Sequence, residues 1–229
     1  MRQRTSVDIR ELSFEKFVAF LFARDVPNES FESLHERRET AKWDQWYWHF
    51  DITFDARRVC GYYVNLFDAP RFLLESYSKA QLEQGFWAIQ GSNLDCSAFH
   101  IIWDRDLPFP IREQCVKSMV ILFKGLFAIE PLVDAVSMWW DSLCYDWHCG
   151  NRKRSRGGED RAMQDVMFET LVDILELESP TCQGAALHGL SHLHHPDTGD
   201  AIRLYLARNP HLSGDWKSTA LAAAEFKLM

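Results

Sequence analysis

Apolar residues recur along this chain at spacings of three and four, the signature of a helix with one buried face. Phe14, Phe17, Val18, Leu21 and Phe22 predict a helix over 14–24, with Ser13 as N-cap, Glu15 in its first turn and a break at Pro27. Val59, Tyr62, Tyr63, Leu66 and Phe67 predict a second over 55–67. Ser78 caps a third, which runs through Leu82, Phe86, Trp87 and Ile89 to Gly91. The Pro-rich turn 104–110 opens a long helix over 111–129, and Pro131 restarts one through Val136, Trp139, Trp140 and Leu143. The same periodicity predicts helices over 160–177, 182–194, 198–208 and 215–228. Residues 47–54 and 98–103 have the composition of extended segments, but no hairpin turn adjoins either. The expected class is all-α, built of antiparallel helix pairs.

The last of these helices repeat a theme. Ser179-Pro180-Thr181 precedes Ala185-Ala186-Leu187, and thirty-four positions later Ser213-Gly214-Asp215 precedes Thr219-Ala220-Leu221. The same offset sets Phe168, Leu171 and Val172 against Ile202, Tyr205 and Leu206. Small residues (Ala185, Ala186, Gly189, Ala220, Ala223) let neighbouring backbones come close. In this pattern residues 164–228 resemble HEAT-like or armadillo-like helical repeats, which implies stacked helix pairs presenting a binding surface. The Trp-x2-Leu-Gly-x2-Tyr signature of tetratricopeptide repeats is absent.

Length allows one domain over 1–229, or a subdivision into an aromatic-rich helical part, 1–150, and a repeat-like part, 159–229. The joint would be the basic loop 151–158, Asn-Arg-Lys-Arg-Ser-Arg-Gly-Gly, which has no apolar anchor and is expected to be mobile. Hydrophobic residues at 47% exclude a disordered chain. The net charge of -8 argues against nucleic acid, whose phosphates need clustered Lys and Arg, and favours a basic partner. The longest apolar run, Phe17 to Ala23, is too short to cross a bilayer. The six cysteines are scattered and no signal-peptide pattern follows Met1, so a cytoplasmic location is expected.

Candidate chemistry is sparse. His188 and His192 stand four apart on one helix face, with His194 and His195 just beyond, a spacing that can share a zinc ion. The Glu that follows the first His in the His-Glu-x-x-His motif is replaced here by Gly189, so the general base of metalloproteases is missing. His188, His192 and His195 are the metal candidates, set against a plain reading as the polar end of a packed helix. Cys144, His148 and Cys149 lack the second ligand pair of a structural zinc site. Asp104 and Asp106 flank Arg105 in a turn that pairs with itself, and no phosphate-binding Gly loop or nucleophile elbow is present.

Trp43-Asp-Gln-Trp46-Tyr-Trp48-His-Phe50 is the densest aromatic cluster. Its rings cannot all face inward from one helix, so Trp43, Trp46 and Trp48 are candidate anchors for a partner. The leading expectation is a non-enzymatic protein-binding module without cofactor, for example an immunity- or antitoxin-like protein that neutralises a basic partner. Its rivals are a metal-dependent enzyme using the cluster from His188 to His195, and a nucleic-acid-binding helical-repeat protein.

Overall fold

A computed structural model describes residues 4–24, 26, 50–132 and 134–228. Trp43, Trp46 and Trp48 lie outside the described residues. The chain is mostly helical and divides into two compact units, 1–135 and 136–229. The basic loop 151–158 falls inside the second.

The first unit carries one departure from an all-helical fold. Strand β1 (Thr5–Asp8) pairs in parallel with β2 (Phe50–Thr53), Val7 opposite Ile52. The Asp95 carboxylate accepts from the Ile52 amide at 3.1 Å and from Arg4, which also donates to the Phe50 carbonyl. The other segment with extended composition is not a strand: Ser97 accepts from the His100 amide and caps a single helical turn, Ala98–Ile101.

Helix α1 (Phe14–Phe22) buries Phe17, Val18, Leu21 and Phe22, with Ser13 capping it. After α2 (Ala56–Asp68) and α3 (Phe72–Ser76) comes α4 (Lys79–Gln90), which starts in a full capping box between Ser78 and Gln81. Gly85 lets α4 close on α1, because a Cβ there would run into the Phe22 ring. The turn Ala98–Ile101 is α5, and α6 (Phe109–Leu122) continues into a π-turn at Phe123–Phe127. Rings of Phe86, Phe127 and Phe123 meet edge-on at 5.0 and 4.9 Å in the core of this unit. The unit boundary falls inside the short helix α7 (Asp134–Ser137).

The second unit holds α8 (Trp139–His148), α9 (Gly158–Leu175), α10 (Pro180–Leu193), α11 (Thr198–Arg208) and α12 (Gly214–Ala224). Helix α10 is central: it packs on α8, α9 and α12. Gly189 makes the approach to α8 possible. A Cβ at this position would lie 2.5 Å from Trp140 Cβ and 2.7 Å from Leu171 Cδ2. The loop expected to be mobile is tied down. Arg152 bridges Asp146 and Asp160 at 3.1 and 2.9 Å, and Arg154 reaches Asp165 at 2.5 Å and Gln164 at 3.1 Å. Its anchors are ion pairs rather than apolar residues.

Candidate metal centre

Helical spacing places His188 and His192 on one face of α10, and the Gly189 contact brings that face against α8. Opposite them, in the first turn of α8, stands Asp141, where the positive end of the helix dipole favours a carboxylate. Asp141 Oδ1 lies 2.7 Å from His192 Nδ1 and 3.8 Å from His188 Nε2. One ligand atom from each of the three residues falls within 4.8 Å of the others.

These atoms converge, and the contact between Asp141 and His192 is the tight one. The 2.7 Å separation is hydrogen-bonding in length, and a bond from His192 is the largest influence on the Asp141 carboxyl. Among the described residues, neither His192 Nε2 nor His188 Nε2 has a hydrogen-bond partner. The His192 side chain is only 6% exposed, so water does not readily supply one. The His192 imidazole holds the Asp141 carboxyl below the usual carboxylate range, although burial pushes it up. Burial pushes the His188 imidazole below its ordinary value, despite Asp141 and a hydrogen bond with the Ser137 backbone. With Nε2 unpaired, that bond belongs to Nδ1, which fixes the tautomer and aims Nε2 at Asp141. A metal-binding histidine is commonly oriented through its second nitrogen in this way.

Two more imidazoles border the three. His148, in the last turn of α8, stacks on His192 with centroids 4.2 Å apart, and His194 lies 5.8 Å from His148. Partial desolvation lowers the imidazole of the exposed His194 below its ordinary value.

Among the described residues, this is the group of His, Cys, Asp and Glu side chains that offers metal-ligand geometry. No family model, curated protein or solved structure matches the chain. The functional reading therefore rests on geometry.

Two of the three histidines that were candidates for a metal meet here, and the third does not. His195 Nε2 lies 2.9 Å from Asp165 Oδ1, while its Nδ1 accepts from the Asp197 amide at 3.2 Å. An acceptor at Nδ1 places the proton of the neutral ring on Nε2, so both nitrogens are occupied. The ring also stacks on Phe168 at 4.0 Å. His195 ties the end of α10 to α9 and has no lone pair to offer an ion. Asp141 replaces it, and no sequence signal pointed there, because its proximity arises only from the packing of α8 on α10.

A second polar region lies in the first unit. A hollow of about 340 Å³ is lined by Phe54, Asp95, His100, Ile101 and Asp104. Its carboxylates are engaged: Asp95 with Arg4 and the Ile52 amide, Asp104 with the Asp106 amide. The convergent set beside α10, with two imidazole Nε2 atoms unpaired, is therefore the stronger candidate.

Proposed function

We propose that this chain binds a divalent transition-metal ion of the zinc class through Asp141, His188 and His192, and that its function depends on that ion. The observation that carries the reading is the convergence of a carboxylate and two imidazoles, with Nε2 of each ring lacking a hydrogen-bond partner among the described residues. Tetrahedral ligands at about 2.1 Å from zinc lie about 3.4 Å apart. The observed 2.7 and 3.8 Å separations straddle that value, so rotamer adjustments within the site accommodate an ion. Two imidazoles and one carboxylate suit zinc, cobalt(II), nickel(II) or iron(II), whereas calcium and magnesium favour all-oxygen sites. Three protein ligands leave a coordination position for water or substrate, the arrangement of a catalytic rather than a closed structural site. An ion there would also clip α8 to α10 within the second unit.

The rival expectation, an acidic module that captures a basic protein, rests on the net charge of -8 and on tryptophans outside the described residues. HEAT-like stacking of the last four helices is compatible with either reading and belongs to the same proposal.

The test is titration of chelator-stripped protein with cobalt(II), followed by its visible absorption, and with zinc by calorimetry. One ion per chain is expected, with binding lost in Asp141→Asn and His192→Ala. At a hundredfold excess over Kd, the ion should stabilise the fold by about 2.7 kcal/mol. Failure of the wild-type chain to bind a stoichiometric ion would refute the proposal.

A further inference from the structure

The metal ligand His192 lies in the last turn of α10, where helices fray, yet the segment after α12 holds this turn in place. Ser191, immediately before His192, is 1% exposed. Its Oγ accepts from the Leu228 amide and donates to the Leu228 carbonyl, both at 3.2 Å. His194, two residues beyond His192, stacks on Phe226 with centroids 4.7 Å apart and planes 12° from parallel. Both stacked residues are in the left-handed region, His194 at φ 53° and Phe226 at φ 58°. Among the described residues, they are the two non-glycine residues with positive φ.

Each occupies the kind of helix-ending position that glycine fills most easily. For α12 the ending is a Schellman-type bond from the Lys227 amide to the Ala222 carbonyl at 2.9 Å. Glycine at either position would ease the backbone and abolish the stack. The rings are thus retained at conformational cost, and they join two helix ends beside the metal centre.

We propose that Phe226 and the segment 225–228 position the metal site: docking of this segment on Ser191 and His194 fixes the His192 end of α10, so that ion binding and docking reinforce each other. The inference rests on the metal reading above. Metal coordination needs ligand atoms held within about half an ångström, and a frayed last turn would not hold His192 that closely against Asp141. Phe226 touches no ligand atom; it acts through His194 and the helix end. Linkage makes the effect reciprocal: the factor by which docking raises metal affinity is the factor by which the ion favours docking.

The test uses the full chain and cobalt(II) or zinc ion. Phe226→Ala, which removes the stack, and Ser191→Ala, which removes the Leu228 bonds but keeps the ring, should each weaken metal affinity about tenfold. Phe226→Tyr, which keeps the ring, should restore wild-type affinity. Reciprocally, saturating ion should slow hydrogen exchange in the peptide 225–228 of the wild-type chain by a similar factor. A merely structural role for Phe226 would lower the melting temperature without this ion-dependent protection. Unchanged affinity in both Ala variants, or exchange indifferent to the ion, while wild type binds metal, overturns the coupling alone. Absence of metal binding by wild type overturns the metal reading and the coupling with it.

Discussion

Replacing Gly189 with Ala separates two forces that act in opposite directions. In the middle of a helix such as α10, Ala is favoured over Gly by about 1 kcal/mol. At this position the added Cβ would lie 2.5 Å from Trp140 Cβ, 2.7 Å from Leu171 Cδ2 and 2.9 Å from Trp140 Cγ. Carbon atoms pack at about 3.5–4.0 Å, so the contact is short by about 1 Å. Leu171 can turn aside, but Trp140 Cβ is fixed to the backbone of α8, and Trp140 itself is fully buried. Helix α8 must therefore move. Overpacking of this kind costs about 1–3 kcal/mol, which set against the propensity gain leaves a net loss of up to about 2 kcal/mol. For a chain of this size each kcal/mol shifts Tm by about 2–4 °C, so the variant should melt lower by up to about 8 °C. Scanning calorimetry with and without zinc is the assay. Asp141 follows Trp140 directly, so the same displacement should pull the carboxylate from His192 and weaken metal binding. A variant that melts higher than wild type would show that propensity wins and that the helices are not in such close contact.

Gln90 is fully buried, and neither amide atom has a partner among the described residues; Gln90→Met should raise stability by about 1–2 kcal/mol, read from the denaturant midpoint. A lowered midpoint would mean that the amide is bonded after all. The folded-state values of His188 and His194 lie below the ordinary imidazole value, so the neutral rings support the fold above pH about 6.5. Stability of the ion-free protein should thus decline as pH falls from about 6.5 through the lowered folded-state values. His188→Gln should flatten that decline, and a wild-type profile already flat between pH 7 and 5 would contradict the desolvation of the half-buried His188 ring. His195→Ala should cost about 1–3 kcal/mol through loss of its bonds to Asp165 and Asp197, yet leave cobalt affinity unchanged. Loss of affinity would identify His195 as a ligand.

What could be read from the sequence follows the range over which each interaction acts. Ser13 and Ser78 cap helices as their positions imply, because a cap is decided within four residues. The four helices of the last third lie close to their expected bounds, since each alternates apolar and polar faces over several turns. Strands β1 and β2 are only four residues each and pair in parallel across a long stretch of chain, so no local turn announces them. The loop 151–158 looked free because its anchors are charges, whose partners Asp160 and Asp165 lie on the following helix. His188 and His192 were visible as a pair through their helical spacing. Asp141 was not, because only the Gly189 contact between α8 and α10 brings it to them.

The distribution of thiols gives the second unit a ready chemical handle. Cys60, Cys96, Cys115, Cys144 and Cys182 are buried, while Cys149, just past the end of α8, is exposed. Burial pushes the Cys96 thiol up to about 12 and raises Cys144 as well, which leaves both without thiolate to react at neutral pH. A maleimide should therefore attach to the native chain at Cys149 alone, with no substitution needed. A fluorophore placed there sits at the end of the helix that carries Asp141, immediately after His148. Quenching by a bound paramagnetic ion would then report occupancy and distance in one measurement, from a protein whose every other side chain is unaltered.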